Sequence, residues 1–263
     1  MNSIFSTYQL DGKIKNFNIK LDRSVIDHNS ALPLGKKAEL ALARTLENND
    51  RYELIAHGLQ IFQEKRTIGE IDFIIKDLHT KSLIHLEFVY KFYLFIPWIG
   101  QFELEHWIGP NFKDRLTYKL EKLRQHQFPI IYQKEATEPM TRLGLEVDKL
   151  QQGLCFLAEL YVPLDVKDIK FTKVDKGCVQ GTWSTLDSFF ETTSSNERYY
   201  VCEKTDWLKS PNENMDWYDK KQVLDIVRSQ LERGNSPMIW IKGSKFISKH
   251  FVIPNRPRTN FQG

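Results

Sequence analysis

Alternating apolar and polar residues on either side of position 80 predict a β-hairpin. Residues 68–76 and 83–92 change side at every position, which is the period of a half-buried strand. The polar segment 77–82 between them predicts the connecting loop. If the hairpin closes symmetrically on that loop, residues whose numbers add up to 159 face each other. Asp72 then lies opposite Glu87, and both are flanked by Ile, Phe and Leu.

The two facing carboxylates need a physical explanation. Directly opposed side chains lie ~5 Å apart, and like charges at that distance destabilise a sheet. A divalent cation between Asp72 and Glu87 would remove the repulsion, so the pattern predicts a metal site. Glu70 lies on the Asp72 face as a reserve or supporting carboxylate, and His85 is either a further ligand or a packed histidine. The competing interpretation is a hairpin whose polar face is simply solvated.

A helix is predicted over residues 36–48, after Pro33-Leu34-Gly35. The residues three, four and seven positions after Glu39 are apolar, so Glu39 shares the stripe that should face the core. A carboxylate on a buried face needs a partner. Glu39 can instead lie at the edge of the stripe near the helix start, where the helix dipole favours negative charge.

Three further elements complete the predicted core. A strand over 52–63 precedes the hairpin, a helix over 112–127 stops before Pro129, and a strand lies near 153–164. Three consecutive strands form an antiparallel meander, and the order of the core is α-β-β-β-α-β. We therefore expect an α/β fold with a mixed central sheet.

Beyond residue 165 the pattern is weaker. It predicts a loop-rich stretch at 196–216, a helix within 214–235 and a strand near 236–243. The sequence thus predicts three consecutive segments. They are an N-terminal arm of residues 1–32, a core of residues 33–165, and an α+β extension of residues 166–263 packed on the core.

The predicted helix at 112–127 carries two stripes. Gln127 continues the apolar one, where it either caps the helix end or donates a hydrogen bond inward to the site. The other stripe is basic and consists of Arg115, Lys119, Lys122 and His126. A basic stripe is usually solvated, and the alternative is that it contacts the phosphates of a nucleic acid.

Composition limits the class of protein. With 263 residues, 41% hydrophobic and 27% charged, the chain is typical of globular proteins. A net charge of +3 is too small to indicate nucleic acid by itself, so any basic surface is local. Three separated cysteines without a CxxC pair predict neither disulfides nor a zinc ribbon. The N-terminus lacks a signal-peptide pattern and no apolar run is long enough to span a bilayer, so we expect a cytoplasmic protein without membrane contact.

Glu39, Asp72, Glu87 and Lys91 form a set of three acids and one lysine that suits metal-assisted phosphodiester hydrolysis. Carboxylates hold Mg²⁺ or Mn²⁺, and the ion polarises a phosphate and lowers the pKa of a bound water. A lysine can orient that water or stabilise the charge that develops in the transition state. We therefore expect Mg²⁺ (or Mn²⁺) as the cofactor of this site.

Several motifs in this order resemble a bacterial family, the domain of unknown function numbered 1853. They are LPLGKKAELALARTL, TIGEIDFIIKD, HLEFVYKFYLF, HWIGPNFKDRLTYKLEKLRQHQF and ISKHFVIP. The resemblance covers roughly residues 33–128 and a short piece near the C-terminus. That family is considered similar to the PD-(D/E)XK nuclease superfamily, whose restriction-endonuclease-like core has the same α-β-β-β-α-β order.

The resemblance implies a role for each acid. Glu39 would be the helix-borne acid, Asp72 the motif aspartate and Glu87 the strand acid. The superfamily pattern has a lysine two residues after the strand acid, whereas Val89 stands there and Lys91 follows on the same face. The implied function is a Mg²⁺-dependent nuclease acting on DNA. The alternatives are an inactive member that binds nucleic acid or a protein partner, and an enzyme for another phosphate-containing substrate.

Overall fold

The structure is a computed structural model, which describes residues 3–5, 8–12, 14–28, 30–166, 169–210, 215–244 and 246–257. It is mixed α/β, with a large mixed central sheet and several helices. The chain divides into two compact units. The first unit comprises Met1–Tyr90, Thr117–Ala158 and Lys173–Asp175, and the second Lys91–Leu116, Glu159–Thr172 and Lys176–Gly263. The units alternate along the chain, whereas the sequence predicts three consecutive segments.

The strands are β1 (Lys15–Asn16), β2 (Tyr52–Gln63), β3 (Arg66–Asp77), β4 (Leu83–Phe95), β5 (Trp107–Ile108), β6 (Gln151–Pro163), β7 (Val179–Thr185), β8 (Arg198–Cys202), β9 (Met238–Lys242) and β10 (Ile247–Ile253). The α-helices are α1 (Leu34–Glu47), α2 (Leu116–Lys122), α3 (Thr137–Arg142), α4 (Leu186–Thr192) and α5 (Lys220–Glu232). A π-helical turn covers Leu123–Gln127. Short 3₁₀ turns cover Leu10–Gly12, Arg23–Val25, Glu103–His106, Phe128–Tyr132, Lys134–Ala136, Val147–Lys149, Lys176–Cys178 and Lys204–Asp206.

In the first unit the strands lie in the order β2-β3-β4-β6, and β1 runs parallel to β6. β2, β3 and β4 form the predicted antiparallel meander, and β2 has the predicted bounds. α1 buries its alanines and leucines at positions 38, 41, 42, 43 and 46, and the last three of these are the predicted apolar stripe. The described residues of the N-terminal arm belong to this unit, where Ile4 and Phe5 are buried.

The register of the β3–β4 hairpin is the predicted one. Its ladder pairs are Phe73 with Leu86, Ile74 with His85, Ile75 with Ile84 and Lys76 with Leu83, each adding up to 159. The loop closes through a 2.9 Å hydrogen bond that the Asp77 amide donates to the Ser82 carbonyl. The ladder ends at Phe73 and Leu86. The next two residues toward the open end, Asp72 and Glu87, interact through a side-chain hydrogen bond, as the predicted register implies.

The β2–β3 pairing is offset by one residue in its middle. Register shifts lie between Leu54 and Ala56 and between Ile61 and Phe62 of β2. Between the shifts, His57 pairs with Phe73 and Leu59 with Ile71, which brings Gly58 opposite Asp72. Gly58 has a φ of 63°, a left-handed conformation that glycine adopts without the cost of a Cβ.

The predicted helix at 112–127 is wrong at both ends. α2 begins at Leu116 rather than at residue 112, because Phe112 has a φ of 56° in the turn before it. The helical path also continues beyond Pro129, which lies in the first turn of a 3₁₀ segment where its missing N–H is not needed. The stretch predicted to be loop-rich contains β8, which pairs with β9 along its whole length.

The second unit has the strand order β6-β7-β10-β9-β8. Pairing is parallel between β6, β7 and β10, and antiparallel from β10 through β9 to β8. α5 starts with a capping box in which Asp219 accepts from the Gln222 amide and the Gln222 side chain accepts from the Asp219 amide. Its apolar face packs in a buried cluster that includes Phe189, Tyr199 and Ile239.

His250 is a buried imidazole in the second unit. Its Nδ1 and Nε2 atoms hydrogen-bond the hydroxyls of Thr182 and Ser184 at 2.8 and 2.9 Å, and its ring stacks on Phe189. Burial lowers the pKa of His250 to about 3. The imidazole is therefore neutral in the folded protein over the whole physiological range.

This burial makes stability depend on pH in a defined direction. The unfolded chain binds a proton at His250 near pH 6.5, whereas the folded protein does not until about pH 3. Stability is thus fully present above pH 6.5 and falls as the pH falls below it. Between pH 7.5 and 5, we expect the wild type to lose about 1–2 kcal/mol more unfolding free energy than His250→Gln. Urea denaturation measures this, with the exposed His79→Gln as control; parallel profiles for wild type and His250→Gln would contradict it.

Candidate functional site

A cleft of about 430 Å³ opens in the first unit beside α1, β3 and the π-helical turn. Its wall combines acidic, basic and apolar side chains. The lining residues are Lys36, Glu39, Ile68, Gly69, Glu70, Asp72, Lys122, His126, Gln127 and Ile130. Glu39 and Asp72 therefore share one cleft with four other residues that the sequence analysis named as candidates. These four are Glu70, Lys122, His126 and Gln127.

Three carboxylates meet in this cleft. α1 supplies Glu39, and β3 supplies Glu70 and Asp72, which lie two residues apart and so point to the same face. Each offers one oxygen, and the three oxygens all lie within 4.8 Å of one another. All three residues are partly buried. This spacing is compatible with a single cation bound between them, because oxygen ligands lie 2.0–2.6 Å from Mg²⁺ or Ca²⁺.

Lys36 lies between two of these carboxylates. Its Nζ donates to Glu39 Oε1 at 2.6 Å and to Glu70 Oε1 at 3.0 Å. Glu39 Oε1 also lies 2.8 Å from Nε2 of His57, whose ring stacks on Phe73. Glu39 thus has the partners that a carboxylate on a largely buried helix face requires.

Asp72 and Glu87 interact directly at the inner end of the cluster. Asp72 Oδ2 accepts a hydrogen bond from the Phe88 amide at 2.9 Å. Burial and the neighbouring Glu87 charge raise the pKa of Asp72 to about 8, and burial raises the pKa of Glu87 to about 7. Near neutral pH the pair therefore retains a proton, which joins the two carboxyl groups by a hydrogen bond.

Glu87 is fully buried and does not line the cleft. Its Oε1 lies 2.9 Å from His85 Nε2, and its Oε2 accepts from the Gln127 amide at 2.6 Å. Gln127 in turn accepts from Lys119 Nζ at 2.6 Å. Burial lowers the pKa of His85 to about 4, so a neutral imidazole donates to Glu87. Glu87 therefore contacts Asp72 from the protein interior and does not face solvent.

The predicted basic stripe is divided among different environments. Lys122 and His126 line the cleft, whereas Lys119 is directed to Gln127. Arg115 belongs to the second unit, where its amide donates to Asp114. The π-helical turn widens the helix just before Gln127, and Gln127 has the inward orientation of the two that the sequence allowed.

Lys91 also belongs to the second unit. Its Nζ donates to Asp114 Oδ2 at 2.6 Å. Two other lysines interact with the carboxylates of this site: Lys36 through direct ion pairs with Glu39 and Glu70, and Lys119, whose charge lowers the pKa of both Asp72 and Glu87. Lys91, the lysine of the predicted set of three acids and one lysine, is thus paired with Asp114.

Sequence reasoning missed three residues of this site. Lys36 had a detectable signal, because it lies three residues before Glu39 on one helix face. His57 and Gly58 had none, since their positions depend on the register shifts of β2. A Cβ on Gly58 would approach Glu70 Oε1 to 3.3 Å, so the glycine leaves room for the carboxylate.

Carboxylates outnumber ammonium groups in this site by one. Four carboxylates (Glu39, Glu70, Asp72 and Glu87) lie near three ammonium groups (Lys36, Lys119 and Lys122), which leaves one net negative charge if every group is ionised. The proton that Asp72 and Glu87 retain near neutral pH offsets this charge.

The fold and site define an α/β protein with an acidic cleft built on a β-meander. The chain belongs to a family described as Domain of unknown function (DUF1853), whose family model matches residues 16–245. No curated protein and no solved structure matches the chain. Within the described residues, no helix is long and apolar enough to cross a membrane.

The raised pKa of Asp72 predicts a stability gain when its charge is removed. Between about pH 4 and pH 8 the folded protein holds a proton that the unfolded chain releases, so stability falls as the pH rises through this range. In EDTA at pH 8.5 we expect Asp72→Asn to unfold with a free energy about 1–3 kcal/mol above wild type, and with no such gain at pH 4. Urea denaturation measures it, with the exposed Asp50→Asn as control. If wild type and Asp72→Asn were equally stable at pH 8.5, the charge of Asp72 would not destabilise the folded protein.

Proposed function

We propose that this protein is a metal-dependent, nuclease-like hydrolase of phosphodiester bonds in DNA. The observation that carries the proposal is the meeting of Glu39, Glu70 and Asp72 in a cleft that Lys122 and His126 also line. Apart from the two-residue strand β5 and the short helix α3, the order from α1 to β6 is α-β-β-β-α-β, which agrees with a PD-(D/E)XK core of the restriction-endonuclease type. The resemblance of the motifs to that superfamily points to the same chemistry.

The donor set fits Mg²⁺ or Mn²⁺. Mg²⁺ prefers oxygen ligands and keeps several waters, so a few carboxylates in an open cleft suit it. When bound, the ion would polarise the phosphate and lower the pKa of a water molecule. Glu39, Glu70 and Asp72 would hold the ion. Glu70 would thus be a direct ligand, whereas the sequence analysis expected a reserve or supporting carboxylate. Glu87 would act through its hydrogen bond to Asp72.

The remaining residues would bind and orient the substrate. Lys122 and His126 are exposed on the cleft wall, where they can contact phosphate oxygens. The chain Lys119–Gln127–Glu87 fixes the position of Asp72 by hydrogen bonds. Hydrolysis adds a water oxygen to phosphorus and breaks one P–O ester bond, which leaves a phosphate monoester and an alcohol.

Metal binding is the first test. We expect the wild type to bind Mn²⁺ in calorimetry, and Glu70→Gln and Asp72→Asn each to weaken it at least ~10-fold, because each removes an anionic ligand. Glu47→Gln, an exposed change on the same helix as Glu39, should leave the affinity unchanged. Mg²⁺-dependent cleavage of plasmid DNA should be lost in the same two variants. A wild type that binds no Mn²⁺ would refute the proposal.

Phosphate binding is the second test. Removing one phosphate contact lowers the slope of log K against log[salt] by about one. We therefore expect Lys122→Gln to weaken binding of DNA in EDTA and to reduce that slope, whereas Lys149→Gln, which removes an exposed lysine paired with Glu146, should not. Fluorescence anisotropy between 50 and 200 mM NaCl measures both. Identical slopes for wild type and Lys122→Gln would exclude this cleft from the interface.

The alternative is an inactive member of the same fold that binds nucleic acid or a protein. One observation favours it: both Glu87 oxygens and all three cleft carboxylates already have protein partners. DNA binding that is sensitive to Lys122→Gln, together with no Mn²⁺ binding and no cleavage, would support this alternative. If no variant changes binding to DNA or RNA, a protein partner is the better candidate.

A further inference from the structure

Lys36 contacts two of the three carboxylates that a bound cation would use. Its ammonium contacts one oxygen of Glu39 and one of Glu70, two of the three carboxylates whose oxygens lie within 4.8 Å of one another. An ammonium group and a divalent ion compete for such oxygens, because both are held by the same negative charge. The carboxylates cannot give their full charge to the ion while Lys36 stays between them.

The surroundings of Lys36 allow it to leave. Its side chain is 36% exposed and starts in the first turn of α1, so the flexible stem can carry the ammonium toward solvent without moving the helix. Glu39 would keep its contact with His57. The neighbouring Lys37 is different, because it is buried and bonds the His28 carbonyl. Lys119 also differs, since it bonds Gln127 rather than the cleft carboxylates directly.

We propose that Lys36 is a displaceable internal counter-ion, which holds Glu39 and Glu70 together until a divalent cation replaces it. This inference rests on the proposed metal-binding function of the cleft. In the metal-free protein Lys36 offsets the repulsion between the carboxylates. After displacement its ammonium is released into a cleft that Lys122 and His126 also line, where it adds a positive charge for a phosphate.

Two consequences follow for binding. Lys36 weakens the affinity for the metal, since part of the binding free energy is used to break its ion pairs. It also couples metal to DNA, because the displaced ammonium becomes available to a phosphate only when the metal is bound. Such coupling is reciprocal, so DNA that attracts Lys36 strengthens metal binding by the same factor.

The first experiment compares Mn²⁺ affinities by calorimetry. Lys36→Met keeps the length of the side chain and removes its charge, and we expect it to bind Mn²⁺ at least ~10-fold more tightly than wild type. Lys122→Met removes the same charge from the same cleft without an ion pair to Glu39 or Glu70. If general electrostatics were the cause, both variants would gain equally; direct competition predicts a gain of less than ~3-fold for Lys122→Met.

Melting temperatures of the same proteins provide an independent test of the role of Lys36. In EDTA, Lys36→Met should melt below wild type, because Glu39 and Glu70 lose their counter-ion. Mn²⁺ should raise its melting temperature by more than it raises that of wild type. Lys36→Gln serves as a second uncharged variant in case the methionine impairs folding. Lower or equal Mn²⁺ affinity in both variants would overturn the role of Lys36.

The released charge is tested by the salt dependence of DNA binding in EDTA and in Ca²⁺, which takes the same oxygen ligands. The wild-type slope should increase by about one in Ca²⁺, and the Lys36→Met slope should not. An unchanged wild-type slope would show that metal binding releases no charge to the DNA.

The failure of the proposed function and the failure of the inference about Lys36 give different results. If wild type and Lys36→Met both bind no Mn²⁺, the metal-binding function itself is wrong; if both bind equally, only the inference about Lys36 is.

Discussion

The concentration of negative charge around Asp72 is the physical constraint that determines the contacts of the surrounding residues in the first unit. β3 and β4 bring Asp72 and Glu87 together, and α1 adds Glu39. Every polar contact near them offsets this charge. The contacts come from Lys36, His57, His85, the Phe88 amide and Gln127, with Lys119 behind Gln127. A carboxylate cluster that needs so many donors costs stability, as functional sites often do.

The position of the cluster depends on two irregularities in the sheet. Ile55 and Ile68 are extra residues at the register shifts, and they shift the β2–β3 pairing by one residue between them. Without the shift His57, rather than Gly58, would stand opposite Asp72. The ring would then fill the space next to the carboxylates, and Glu39 would lose its histidine partner. The shifts thus place the smallest residue where the cleft must stay open.

Local patterns predicted what depends on local interactions. The hairpin register follows from strand alternation and a symmetric loop, so the meeting of Asp72 and Glu87 was predictable, and so was the stripe that carries Glu39. The register shifts and the π-helical turn were not, because a one-residue insertion leaves no periodic signal. The partners of Lys36 and Lys91 also escaped prediction, since a long flexible side chain can choose among several carboxylates that only the tertiary fold brings near.

The alternation of the two units along the chain affects how this protein can be divided. The first unit takes Lys173–Asp175 from a region otherwise belonging to the second, and the second takes Lys91–Leu116 from within the first. β4 and β6 each contribute residues to both units. No single cut of the polypeptide separates the two units, because every fragment that contains all of one unit also contains part of the other. Truncation of the chain at one end therefore cannot isolate either unit.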